Sequence, residues 1–349
     1  MDSPALSDDK HRREGETRRF NAYLAFAAIA LSTRLGIVVA NCPSEASLQP
    51  CTCDHYGINC MRVQSTTELR RAFRSGTLAT RDQKQLWIQK TPITSFPEDV
   101  LGSFRFSEVH IELNSNLSSF TLEALRNSSR LLDVLSLYGN ALQTFQFGQL
   151  RYFPDLMVLN LGGNRLTRIP DNTFFSTNIK KLVLSGNPLT SIGARAFYSL
   201  HGLRELDLAN TRLATLGSLS LSIPRGHEQL RVDLSGGQLM LIDRRAFEGS
   251  APLVLDLSHN NLTALEQQPF EDLMHRMYTR SSRLNFLPLI AVKGNPFTCR
   301  GCSYEWLVRH SQNQAVQQIF HGFRCTDGRG LSSITASRIG CRRRSWPFG

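Results

Sequence analysis

Across 349 residues the chain carries 40 Lys and Arg against 29 Asp and Glu, a net charge of +11, with 41% hydrophobic and 20% charged residues. That mixture excludes a disordered polyelectrolyte and predicts folded, soluble material, while the basic excess raises nucleic-acid and membrane-surface readings. The distribution argues against nucleic acid: Asn295 to Gly349 holds eight Arg against Glu305 and Asp327, and no basic helix or aromatic–basic alternation runs through the middle of the chain.

Residues 1–21 are polar and mixed in charge, and Ala22 to Leu31 is an apolar run. Val38-Val39-Ala40 places small or β-branched residues before Asn41, the pattern of a signal-peptidase site, so residues 1–40 read as a signal peptide. A signal anchor, giving a type II membrane protein with extracellular repeats, is the competing reading, because Ala22 to Ala40 is 19 residues, about one bilayer span. Arg34 opposes it, at about 2.5–3.5 kcal/mol for a charge at the centre of a span.

Residues 41–80 hold Cys42, Cys51, Cys53 and Cys60; residues 296–341 hold Cys299, Cys302, Cys325 and Cys341; none lies between. An even number in each group, behind a leader, predicts two disulfide-stapled units made in an oxidising compartment, although four cysteines allow three pairings and sequence does not choose. Cys299-x-x-Cys302 lacks the second paired spacing of a zinc ribbon. A basic tail with Arg342, Arg343 and Arg344 follows at 342–349; its plainer reading is a solvated tail, its sharper one a contact point for a glycan or other polyanion.

Residues 81–295 repeat. Leu86, Val109, Leu135, Leu159, Leu182, Leu206, Val232, Leu255 and Ile290 each open an apolar-x-apolar unit, separated by 23, 26, 24, 23, 24, 26, 23 and 35 residues. Every spacing but the last falls within the roughly 20–29 residues of leucine-rich repeats. In Leu159-Asn-Leu161 the period of 2 turns both leucines to one side of a short strand. Asn164 then serves neighbouring turns from inside the coil, and Leu166, Ile169 and Phe174 return on the far side. Asn140, Asn187, Asn260 and Asn295 are equivalent and predict a ladder, weakened where Thr91, Thr211 and Gly237 stand instead. The extra residue before Leu117 predicts a local bulge, and Glu271 to Leu289 reads as an irregular excursion. No repeat buries its own apolar edges, so each needs both neighbours, and the cysteine units cover the ends. The expected fold is an α/β solenoid: a leucine-rich-repeat horseshoe with a parallel concave sheet of about nine short strands and stapled caps.

Residues between the strand leucines point outward. Asp207, Asp233 and Asp256 share one position in consecutive repeats, after Asn160 and Val183, and make an acidic ladder for a cationic partner. The plainer reading is that Leu-x-Leu repeats favour Asp there, with Ser235 and Ser258 as hydrogen-bond partners. Trp87, His110, Tyr138 and His259 are further outward candidates, since exposed aromatics are enriched at binding hot spots; Trp87 as a seal at the cap junction is the alternative. Asn116, Asn127 and Asn261 open Asn-x-Ser/Thr sequons, candidate glycosylation sites.

Cys42-x8-Cys51-x-Cys53-x6-Cys60 resembles the N-terminal cap of extracellular leucine-rich-repeat proteins. Asn295-Pro296-Phe297-x-Cys299 with Tyr304-x-Trp306-Leu307, Cys325 and Cys341 resembles their C-terminal cap, except that Arg300-Gly301 makes the usual Cys-x-Cys a Cys-x-x-Cys. The resemblance implies the pairs Cys42–Cys53, Cys51–Cys60, Cys299–Cys325 and Cys302–Cys341. The Cys-Pro opening, Cys-Thr-Cys-Asp, Leu86-Trp-Ile and the Ile111 to Leu117 repeat further resemble the non-catalytic leucine-rich-repeat subunits of shrimp-type (Oplophorus) luciferin 2-monooxygenase and their arthropod relatives. That likeness implies a subunit that does not perform the oxidation.

A nucleophile elbow, a phosphate loop and a His-Glu-x-x-His motif are all missing from the sequence, and its nine His show no metal-ligand spacing. The expectation is a non-enzymatic secreted binding module without cofactor or metal. It would recognise a protein ligand of adhesion, matrix, receptor or innate-immune type, and no nucleic acid. The alternative is a stabilising partner subunit of a secreted oxygenase-type complex.

Overall fold

The computed structural model describes residues 42–75, 82–175, 178–284 and 286–341. The leader, the cleavage position at Asn41 and the basic tail lie outside the described residues.

The nine expected rungs are all present and in register. Leu86, Val109, Leu135, Leu159, Leu182, Leu206, Val232, Leu255 and Ile290 stand opposite one another in successive parallel pairs, and all are buried. The sheet itself has twelve strands, because the ends contribute three more. Gly57–Asn59 pairs in parallel with the first rung, placing Ile58 opposite Leu86, and Thr52–Asp54 pairs antiparallel to it on the outside. At the other end Phe320–His321 follows Leu289–Ala291, placing Phe320 opposite Ile290. These end strands seal apolar edges that no repeat is left to cover.

Inside the coil two features tie the rungs together. The Asn187 side chain donates to the carbonyls of Leu161 and Leu184, both at 2.9 Å, and accepts from the Leu166 amide at 3.0 Å. Asn164, Asn260 and Asn295 repeat the arrangement. At the first rung the Thr91 amide and hydroxyl both donate to Asn114 Oδ1. At Gly237 no side chain is there to bridge. On the far side a phenylalanine spine runs Phe96, Phe120, Phe145, Phe147, Phe174, Phe197, with ring centroids 5.1–6.4 Å apart.

Two sequence expectations need correction. The extra residue before Leu117 does not bulge a strand: Arg105–Glu112 stays paired with Asp82–Gln89, and the residue is absorbed in a turn closed by the Leu117 amide on Asn114 O at 2.9 Å. The excursion after Leu265 is an α-helix, Gln267–Ser281, that buries Phe270, Leu273, Met274 and Met277. Spacings of three and four put those side chains on one face. Its polar residues bind the preceding loops, since Arg276 donates to Ser250 O at 2.9 Å and Phe247 O at 3.0 Å. No helix among the described residues is long and apolar enough to cross a membrane.

Disulfides join Cys42 to Cys53, Cys51 to Cys60, Cys299 to Cys325 and Cys302 to Cys341. The additional residue in Cys299-x-x-Cys302 is accommodated at Gly301, whose φ of +91° an L side chain rarely adopts and whose amide reaches Ile339 O at 2.6 Å. Trp306 Nε1 donates to Leu265 O at 2.7 Å, fastening the C-terminal cap to the last regular repeat.

Candidate functional site

The outward face of the first two long strands is built from polar residues at period 2. Gln85, Trp87 and Gln89 alternate with buried Leu86 and Ile88, and Glu108, His110 and Glu112 alternate with buried Val109 and Ile111. Parallel register then sets Gln85 beside Glu108, Trp87 beside His110 and Gln89 beside Glu112. The Trp87 and His110 rings stack with centroids 3.9 Å apart and planes 5° apart. Gln85 and Gln89 donate to Glu108 and Glu112 at 2.8 and 2.7 Å, and Trp87 Nε1 donates to Gln85 Oε1 at 3.1 Å.

The two carboxylates flank the imidazole. His110 Nδ1 lies 3.5 Å from Glu112 and Nε2 lies 3.7 Å from Glu108, the latter beyond hydrogen-bond reach. Buried Nε2 has no hydrogen-bond partner. Burial pulls the His110 pKa down, but Glu108 and Glu112 outweigh it and hold it above its ordinary value. His110, with help from Gln85, holds Glu108 below the usual carboxylate range against the opposing effect of burial. For Glu112 burial pushes up, yet His110 and Gln89 bring it down.

A raised histidine stabilises the fold fully below its unfolded value of about 6.5 and loses that contribution as pH rises through the folded value; lowered glutamates contribute above about 4.3 and lose it as pH falls. The cluster is therefore worth most between about pH 4.5 and 6.5. His110→Asn is expected to widen its stability deficit in that window, by about 1–3 kcal/mol for a charged partner removed. Denaturant midpoints of both proteins from pH 4 to 8 would show it; a deficit independent of pH would refute the charge clamp.

Tyr138 stands next along the face, 43% exposed, its carbonyl accepting the Leu113 amide at 2.8 Å. Leu113 is exposed and adopts φ +56° in the turn that follows its strand. Its side chain fits because the next rung has Gly139 there: a Cβ on Gly139 would lie 2.7 Å from Leu113 Cδ2. His259 occupies the same turn position, also at φ +56°, with its imidazole over Gly294. It lies in a turn beyond the strand and not beside Asp256 on the sheet face.

Asp207, Asp233 and Asp256 do form one column, directly opposite one another. Each Oδ1 accepts the backbone amide two residues on, Ala209 at 3.0 Å and Ser235 and Ser258 at 2.8 Å, and Asn160 does the same for Gly162. These bonds end the strands, which explains why Asp or Asn recurs there without reference to a ligand. Asp207 also accepts from Ser185 Oγ at 2.7 Å; burial nevertheless pushes its pKa up, with Asp233 and Glu205 adding to the effect.

Comparison with known proteins agrees with this architecture. The leucine-rich-repeat family model matches residues 154–213. The non-catalytic subunit of Oplophorus-luciferin 2-monooxygenase from Oplophorus gracilirostris is 25% identical over 346 residues, spanning 89% of this chain and 92% of that one. The fold is therefore a leucine-rich-repeat solenoid with disulfide-stapled caps. Podocan-like protein 1 from Homo sapiens is 33% identical over 226 residues, 57% of this chain but only 43% of that relative. Among solved structures, a chain in the octameric complex of Latrophilin 3, Unc5D and FLRT2 superposes with a TM-score of 0.51 at 18% identity, covering 85% of this repeat protein and 97% of that chain, a likeness of fold.

In this repeat protein the three sequon asparagines Asn116, Asn127 and Asn261 are exposed, and Asn127 donates to Gly102 O at 2.9 Å. Asn261 faces out beside inward Asn260. Among the described residues no group of three or more His, Cys, Asp or Glu is arranged to hold a metal. Sequence reasoning singled out Trp87 and His110 but missed Glu108 and Glu112. The signal was available, since polar residues at period 2 in two successive repeats must meet side by side once the strands pair.

Proposed function

We propose that this is a secreted, non-enzymatic binding module whose outward sheet face docks a protein partner, with Trp87, His110 and Tyr138 as its anchors. One observation carries the reading: a stacked Trp–His pair, clamped by two carboxylates, with a buried nitrogen unsatisfied, lies on an open face next to an exposed tyrosine. Aromatic groups held rigid before contact lose little freedom on binding, and such residues dominate interface energies. Trp87→Ala and Tyr138→Ala are each expected to weaken partner binding by about 2 kcal/mol, roughly 30-fold, with melting temperature monitored to separate folding from binding. Unchanged affinity in both variants would remove the face from consideration.

Asp207, Asp233 and Asp256 extend the same surface, and on this proposal Asp233→Lys abolishes binding of a basic partner. His259 borders it at the turn. Glycans at Asn116, Asn127 and Asn261 belong to the same secreted reading, as does a mature N-terminus at Asn41; an anchored form would keep the preceding residues.

A second reading rests on the near full-length similarity to the shrimp subunit: this chain would stabilise a catalytic partner without reacting itself. Co-purification with a small oxidising chain would favour it. A monodisperse native protein with no associated activity would favour the first.

A further inference from the structure

We propose that the loop edge leading into the central strands is a separate binding site for a sulfated polysaccharide, formed by Lys180, Arg204, Arg225 and Arg280 around His227. In sequence these residues span a hundred positions and make no motif. The coil brings them together. The Arg204 amide donates to Lys180 O at 2.8 Å, so the two occupy the same edge position in adjacent rungs, about 4.8 Å apart. Lys180 Nζ reaches over Gly202, where an added Cβ would lie 2.9 Å away. The Gly202 amide in turn donates to Arg225 O at 2.7 Å, and the His227 amide to Leu203 O at 2.8 Å, laying the next loop along the same edge.

The side chains converge as well. Arg225 lies 3.3 Å from His201 Nε2. Arg280, carried by the Gln267–Ser281 helix, donates to Gly226 O at 3.3 Å and to Ala251 O at 3.4 Å, fixing its charge against that loop. Burial lowers the His227 pKa, and the nearby charges of Arg204, Lys180 and Arg280 add to this against the opposing Glu228. Among the described residues none of the four cations is in an ion pair, and the adjacent Glu205 is engaged by Lys181 at 2.8 Å. The four cations repel one another, with Glu228 as the acid that acts against them at His227, and an anion relieves the site.

The anion's class follows from where the chain works. Four disulfides and no free cysteine among the described residues belong to an oxidising compartment, where linear sulfated polysaccharides are the abundant polyanions and nucleic acid is not. This step rests on the extracellular reading above, but the surface is separate from the sheet face, so either can fail alone.

The test uses the full chain and heparin oligosaccharide. Lys180→Ala/Arg204→Ala/Arg225→Ala is expected to lose at least tenfold in affinity and to flatten the salt dependence by about three contacts. A control with equal charge loss, Arg151→Ala/Arg168→Ala/Arg244→Ala, should change affinity less than about twofold. Equal losses in both triples would mean non-specific attraction and overturn the site. Full retention by the first triple, with loss only when Arg342, Arg343 and Arg344 are replaced, would move the contact to the tail and overturn it too. Tighter binding to phosphatidylserine vesicles or to RNA than to heparin at equal salt would overturn the assignment of the ligand.

Discussion

Phe174→Ala is expected to destabilise the folded chain by about 3–5 kcal/mol, the range for emptying a buried phenylalanine site. Phe174 is 1% exposed and lies between Phe147 and Phe197, with centroids 5.2 and 5.5 Å away. Removing it breaks the spine at mid-array and opens a cavity that two adjoining repeats share. Its sequence neighbour provides the contrast. Phe175 is 55% exposed, and Phe175→Ala should change stability by about 0.5 kcal/mol or less. Denaturant unfolding of the two variants, read in parallel, checks both; similar losses would show that the spine does not couple the rungs.

Asn187→Ala should cost about 3 kcal/mol or more, because it orphans three buried backbone groups at once: the Leu161 and Leu184 carbonyls and the Leu166 amide. Thr211→Ala, at a rung where the asparagine is already replaced, should cost about 1 kcal/mol. Hydrogen exchange at the Leu166 amide gives a local readout, faster in Asn187→Ala and unchanged in Thr211→Ala. Gly237→Asn is not expected to restore a bridge, since its Cβ would meet Asn260 Oδ1 at 2.8 Å. Accelerated exchange in Thr211→Ala equal to that in Asn187→Ala would contradict the ladder account.

Much of this scaffold was legible in the sequence because each rung repeats one physical solution. Leu159-Asn-Leu161 and Asn164 state strand, face and inward amide in six residues; five other copies restate all of it, and three keep the strand but carry Thr91, Thr211 or Gly237 in place of the amide. What escaped notice lacked a repeat to advertise it. The cap strands Gly57–Asn59 and Phe320–His321 carry no Leu-x-Leu and acquire their pairing from the rung they seal. The helix Gln267–Ser281 was obscured by its Met and Arg content, although Phe270, Leu273, Met274 and Met277 already carried the helical spacing. Site features divide the same way. Trp87 and His110 stand out by residue type, whereas Glu108 and Glu112 matter only through the register that places Gln85 and Gln89 beside them. Asp207, Asp233 and Asp256 form the column their shared repeat position implies, and Ser235 and Ser258 partner them as expected, but through backbone amides that residue types alone do not announce. The basic edge at Lys180 and Arg204 depends wholly on the coil.

On the proposed function, recognition takes place on the open sheet face while the far side only closes the coil. Hydroxyl-radical footprinting of the full chain, alone and with a captured protein partner, addresses this directly. Trp87 and Tyr138 should become protected on binding while the exposed far-side rings Phe175 and Tyr198 stay reactive. Protection of Phe175 and Tyr198 with Trp87 and Tyr138 unchanged would place the interface on the opposite side and rule out docking on the sheet face.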